Sequence, residues 1–314
     1  MAADTDQAIT SPGVLLTGAS SQIGVFALPL LVKAGFRVIA VSRKGKPDDF
    51  PELDAVEWLK ETGALNAARD FDYLLSAGPL QLARKFLERG TQFKTAVAFS
   101  SSSVETKLQS GNTFERDQIR DLLFLESELI SLSETRGMKL VIFRPTLIYG
   151  CGMDTNISRL AGWIRRFGVM PVNGRAEGLR QPVHAQDLAA VACTALLNRN
   201  DLPPVMNLSG GDTLSYSDMV KKVFSAFGKP ARLLRLPQWL FVLIAALANT
   251  MNLTSGINSE MIRRQRSDLV FDDRQARALL NYEPRPFAPG PEDFALPDFE
   301  KNSQSTQSTE SRSD

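Results

Sequence analysis

The residues best placed to do chemistry lie in one short stretch. Between two apolar runs, Val14-Leu15-Leu16 and Val25-Phe26-Ala27-Leu28, the chain passes through Thr17-Gly18-Ala19-Ser20-Ser21-Gln22-Ile23-Gly24. That order predicts a buried strand, a tight turn and the first turns of a helix. A helix N-terminus offers unpaired amides and a partial positive charge, which suits a phosphate. Gly18 permits the turn, and Gly24 lets the helix lie close on the strand. The spacing is that of a dinucleotide site with one departure: Ser21 stands where a third glycine belongs. Its Cβ crowds the pyrophosphate approach, while its hydroxyl can donate a hydrogen bond. The expected cradle is Gly18, Ser20, Ser21, Gln22, Ile23 and Gly24; the alternative is a strand-turn-helix without a ligand.

The next strand, Phe36 to Val41, ends at Ser42-Arg43-Lys44-Gly45-Lys46. An NAD-type site places an acid here for the ribose 2′-hydroxyl. This chain has Arg43 and two lysines instead, and Ser42 and Arg43 are expected to hold the extra phosphate of NADP. NADP is therefore the first choice and NAD the second; a solvated basic loop is the other reading.

These residues need a scaffold. The chain has 314 residues, a net charge of +1 and two cysteines, Cys151 and Cys193. That length can bury a large core. The balanced charge argues against a nucleic-acid partner, and two distant cysteines form no metal cluster and suit a reducing, cytoplasmic setting. Short apolar runs at Val56–Leu59, Asp72–Ala77, Thr95–Phe99 and Leu140–Phe143 alternate with helical stretches, the longest at Phe114–Thr135 and stopped by Gly137. This predicts an α/β fold, a Rossmann-type doubly wound parallel sheet with ligands at the carboxyl ends of its strands. Ala77 and Pro145 end two of those strands and join the expected cofactor set.

Four marks together resemble the extended short-chain dehydrogenase/reductases, specifically the NAD-dependent epimerase/dehydratase group acting on nucleotide sugars. They are the Thr17–Gly24 turn, the serine-rich strand end Phe99–Val104, Arg144-Pro145 leading to Tyr149-Gly150, and Arg180-Gln181-Pro182-Val183-His184-Ala185-Gln186-Asp187. The resemblance covers roughly residues 13–290 and implies a Rossmann core at 12–150 and a smaller C-terminal substrate lobe at 151–298, interleaved with the last core elements. Residues 1–11 and 299–314 are polar and expected to be disordered.

The resemblance also assigns roles. Counting back from Val104, Ser101 takes the place of the catalytic hydroxyl; otherwise the serines merely end a strand. Arg180 takes the place of an arginine that contacts the nucleotide diphosphate, with a structural salt bridge as the alternative. Asn156 and Arg266 complete the expected substrate contacts. His184, the only histidine, orders a strand-to-helix junction; Tyr149 packs; and Asp187 caps the helix Leu188–Leu197.

The family's Tyr-x-x-x-Lys pair is missing. Alignment on Glu126 puts these roles at Gln118 and Leu122, and alignment on Glu128 puts them at Arg120 and Phe124; the helix has no tyrosine. Leu147 also replaces a common asparagine. Lys107, Glu105 and Glu115 lie near the expected pocket and read as solvated charges.

Two functions follow. One is an oxidoreductase or epimerase for a nucleotide-linked sugar, working by hydride transfer with NADP or NAD. The other is a non-catalytic NADP-binding sensor or structural module. The partners expected are a small-molecule substrate and a second copy of the chain, without a membrane span. The apolar run Trp239–Ala248 is shorter than the roughly 20 residues a span needs and reads as a buried helix or lid.

Overall fold

The computed structural model describes residues 12–50, 52–66, 71–89, 92–237, 239–240 and 264–297. Most of the Trp239–Ala248 run, the two chain ends and residues 241–263 lie outside these.

The elements follow in chain order: β1 (Gly13–Thr17), α1 (Gly24–Lys33), β2 (Arg37–Ser42), β3 (Val56–Lys60), α2 (Glu61–Asn66), β4 (Tyr73–Ser76), α3 (Leu80–Glu88), β5 (Thr95–Phe99), α4 (Ser103–Thr106), α5 (Thr113–Arg136) and β6 (Lys139–Pro145). The second half contributes β7 (Ile148–Tyr149), α6 (Ile157–Phe167), β8 (Met170–Asn173), β9 (Leu179–Arg180), β10 (Val183–His184), α7 (Ala185–Leu197), β11 (Val205–Leu208), β12 (Leu214–Ser215), α8 (Tyr216–Ala226), β13 (Leu233–Leu236) and α9 (Arg274–Leu280).

The central sheet has seven strands in the order β11-β6-β5-β4-β1-β2-β3, all pairs parallel. The strands are almost continuously apolar because both faces are covered. The pleat sends Val14 and Leu16 to one face and Leu15 to the other; Val38 and Ala40 oppose Ile39 and Val41 in the same way. One face packs α1, α7 and α9, through Leu28, Leu31, Leu188, Ala192 and Ala276. The other packs α3 and α5, through Phe86, Leu87, Leu125 and Leu129. This is the doubly wound arrangement, and its strand order reverses between β1 and β4, where ligands bind in such sheets.

The chain leaves the core after β6 and returns to it with α7 and β11. A third apolar cluster, with Tyr149, Ile157, Ile164, Val223, Phe224 and Phe287, forms outside the sheet around α6 and α8. Outside the central sheet β8 pairs with β13 in parallel. One local expectation changes. The helix after His184 starts at Ala185, and its cap is the His184 ring, whose Nδ1 accepts from the Gln186 amide at 3.0 Å. Asp187 instead accepts from the Arg285 side chain and amide, each at 2.9 Å.

Candidate active site

The expected turn forms between β1 and α1. Gly18 has φ +67°, and a Cβ on it would lie 2.5 Å from the Gly78 amide nitrogen; on Gly24 a Cβ would lie 2.2 Å from the Gly18 carbonyl oxygen. Backbone therefore approaches backbone as only glycine allows. Ile23, at the start of α1, makes no capping side-chain bond, and the first turn holds no acid. The Val25 and Phe26 amides bond to the Ser21 and Ile23 carbonyls, so among the described residues the amides left open to an anion are those of Gln22 and Ile23, just before the helix. Ser21 turns its hydroxyl inward. It donates to the Ala77 carbonyl at 2.7 Å and accepts from the Gly24 amide at 3.2 Å. The substituted serine thus ties α1 to the end of β4 across the switch point.

Above this turn lies a cavity of about 380 Å³, lined by Ser21, Gln22, Ile23, Ala77, Pro79, Phe99, Ser101, Leu122 and Pro145 among others. The Nε2 of Gln22 is buried there without a hydrogen-bond partner among the described residues. An orphaned donor, open amides and glycines with no room for a Cβ fit a nicotinamide dinucleotide. Its lining contains no titratable side chain.

The remaining cofactor candidates shape this cavity or lie away from it. Gly18, Ser20 and Gly24 build the turn without lining the cavity. The buried hydroxyl of Ser42 bonds to the Gly45 carbonyl. Arg43 is exposed at the end of β2, and neither residue lines a cavity. Lys46 pairs with Glu52. Of this basic loop, Lys46 is thus paired and Arg43 exposed, and neither Ser42 nor Arg43 lines either of the two cavities.

A second cavity of about 950 Å³ shares Gln22, Ser101 and Ile148 with the first. It runs between the core and the outer elements, past Asn156, Arg159, Trp163, Arg180, Tyr216 and Arg264. Charged groups on its wall are Lys107, Asp154, Arg159, Arg166, Arg180 and Arg264, five cations against one acid. It is built for an anion.

Ser101 follows β5. Its hydroxyl lies 2.7 Å from that of Ser103 and accepts from the Ser103 amide at 3.2 Å. Arg180 is 6 % exposed. Its guanidinium donates to the carbonyls of Arg264, Leu179 and Ser267 at 2.5, 2.6 and 2.8 Å and sits 5.6 Å from the Tyr216 ring. Among the described residues it has no carboxylate partner, so the salt-bridge alternative gives way to a cation held by carbonyls. Burial lowers its pKa, and an anion in the cavity would offset that cost.

Asn156 lines the cavity as expected, but the Asp154 carboxylate accepts the amides of Asn156 and Ser158. Arg266 is displaced from its expected role: it is exposed and lines neither cavity. Arg264, two residues earlier, faces the cavity and pairs with Glu115. Burial pushes Glu115 up, but the bonds from Arg264 and Ser110 outweigh this and hold it below the ordinary carboxylate range.

Helix α5 is oriented by Glu126, which is 3 % exposed, accepts from Ser100 and is gripped by the Arg144 fork. This turns Leu122 into the first cavity, whereas Gln118 is exposed and lines neither. Tyr149 packs edge-on against His184 and Phe287 at 5.0 and 4.9 Å, and burial raises its pKa. His184 accepts at Nδ1, so its Nε2 donates to Asp293 at 3.0 Å. Neither lines a cavity.

Fold and site together define a Rossmann-type α/β protein with a doubly wound parallel sheet. Within that class the chain resembles the NAD-dependent epimerase/dehydratase group. No family model matches the chain. It is 24% identical over 234 residues to UDP-glucose 4-epimerase of Vibrio cholerae, covering 72% of this chain and 67% of that protein. It is also 24% identical over 265 residues to the chloroplastic divinyl chlorophyllide a 8-vinyl-reductase of Arabidopsis thaliana, spanning 71% of this chain and 60% of the reductase. Among solved structures, UDP-glucuronic acid 4-epimerase from Bacillus cereus, in complex with UDP-glucuronic acid and NAD, superposes with a TM-score of 0.64 at 16% identity, covering 87% of this chain and 94% of that one. Among the described residues no helix is long and apolar enough to cross a membrane.

Proposed function

We propose that this chain is an NAD(P)-dependent oxidoreductase of the epimerase type, acting on an alcohol carbon of a nucleotide-linked sugar. The observation that carries this is Ser101. Its position is common to both cavities, where a dinucleotide on one side and an anionic substrate on the other would meet.

The Gln22 and Ile23 amides before α1 and the Gln22 side chain hold the dinucleotide, which when bound supplies hydride chemistry. Ser101 donates to the substrate oxygen and fixes its orientation. Arg180 and Arg264 balance the diphosphate charge, while Asn156 supports the mouth of the cavity. NAD replaces NADP as first choice: the solved structure of similar fold carries NAD, and Arg43 stands exposed outside both cavities. The missing acid after β2 keeps NADP as the second. A cytoplasmic setting and a self-associated dimer go with this reading; both cysteines are buried free thiols, which suits a reducing compartment.

The non-catalytic reading is favoured by one observation, the lack of a titratable side chain in the first cavity. Incubation with NAD and UDP-glucose, UDP-N-acetylglucosamine or UDP-glucuronic acid separates the two. Inversion of a sugar carbon, followed by NMR, is expected for one of them; bound NADH whose fluorescence ignores all three would favour the sensor.

A further inference from the structure

Four serines, Ser100 to Ser103, follow β5, and the fold gives them different tasks. Ser100 and Ser102 anchor the chain. Their amides donate to the Phe143 and Pro145 carbonyls of β6 at 2.7 and 3.1 Å. The Ser100 hydroxyl donates to the buried Glu126 carboxylate, and Ser102 is 5 % exposed. These bonds pin the backbone on both sides of Ser101.

Ser101 and Ser103 form a pair of their own. Both are half-buried; Ser101 lines both cavities and Ser103 the second alone. The Ser103 amide donates to Ser101 Oγ at 3.2 Å, and the two hydroxyl oxygens lie 2.7 Å apart. Among the described residues neither hydroxyl has a partner outside this pair. Ser103 opens α4, but its hydroxyl does not cap that helix; its bond runs back to Ser101.

A serine hydroxyl has one proton and two lone pairs. The Ser103 amide takes one lone pair of Ser101 Oγ. The bond between the hydroxyls then has two senses. If Ser103 donates, the second lone pair is filled and Ser101 has only its proton to offer. If Ser101 donates, its proton is used and one lone pair stays open. Rotation of the two hydroxyls interconverts these arrangements, and no heavy atom moves.

We propose that Ser103 is a positioning residue that makes Ser101 a reversible partner for the substrate oxygen, accepting from an alcohol and donating to a ketone. The proposal takes its reaction from the oxidoreductase reading. An alcohol O–H needs an open lone pair, and a ketone oxygen needs a proton donor. Removal and return of a hydride at one carbon passes its oxygen through both states. The pair meets both from one fixed position, which spares the site a rearrangement between the two steps. No bond to hydrogen breaks in this exchange; only the sense of the hydrogen bonds reverses.

The test is a double-mutant cycle. The full chain is assayed with NAD and UDP-glucose, UDP-N-acetylglucosamine or UDP-glucuronic acid, as wild type, S101A, S103A, S103T and S101A/S103A. With the sugar that turns over, S103A lowers kcat about 10-fold, the size of one lost hydrogen bond, and leaves KM and NADH affinity unchanged. S103T keeps a hydroxyl and restores kcat. Ser103 acts only through Ser101, so S101A/S103A is no slower than S101A. A wild-type kcat in S103A overturns the proposal. So does a double variant slower than S101A by the full S103A factor, the mark of an independent structural role. A wild type that converts none of the three sugars instead overturns the oxidoreductase reading, and this proposal falls with it.

Discussion

The two cavities that meet at Ser101 are made in opposite ways. The first lies beside the glycine turn and the strand ends, and its wall is apolar or neutral, with no titratable side chain. The second is built from side chains, and its cations outnumber its acids. A neutral cradle of fixed dipoles suits a cofactor that is held in one way throughout. A cavity rich in mobile charge suits a substrate whose own anion completes it.

The largest expected effect tests that side. Arg180→Ala removes a buried guanidinium and leaves the carbonyls of Leu179, Arg264 and Ser267 without their donor. Each buried unsatisfied group costs about 1–3 kcal/mol. A loss of roughly 3–5 kcal/mol is expected in urea melts, with nucleotide-sugar binding lost in calorimetry. A stable variant that still binds the sugar nucleotide would remove Arg180 from the site.

Two smaller effects belong to the cradle. Gly24→Ala drives a Cβ to 2.2 Å from the Gly18 carbonyl. It should cost about 1–3 kcal/mol through overpacking and weaken dinucleotide binding as α1 moves off β1. Ser21→Ala removes the link between the Gly24 amide and the Ala77 carbonyl, with an expected cost of about 1 kcal/mol in thermal melts. An unchanged melt would show that this tie contributes nothing.

The cradle was the more legible of the two in the sequence. The Gly18–Gly24 spacing and the alternation of apolar residues are local patterns, and each has one structural solution. His184 and Tyr149 were also legible as packing residues. The second cavity depends on contacts between distant parts of the chain. Arg264 and Arg266 flank Gln265 and look equivalent in sequence. The buried Gln265 side chain, accepting from the Asn173 amide at 2.8 Å, anchors the segment that puts only Arg264 inward. Lys107 reads as a solvated charge in sequence, yet it is half-buried on the wall that it shares with Arg264, far along the chain. The cap of α7 was missed for a similar reason. Asp187 is a good capping residue by type, but Arg285 claims it, and the neutral His184 ring takes its place.

Dinucleotide binding tests the central claim most directly. Titration calorimetry of the full chain with NADH and NADPH should give one saturable site, tighter for NADH, with Arg43→Ala changing NADH affinity little. Absence of heat with both at millimolar concentration would contradict the cradle and every function built on it.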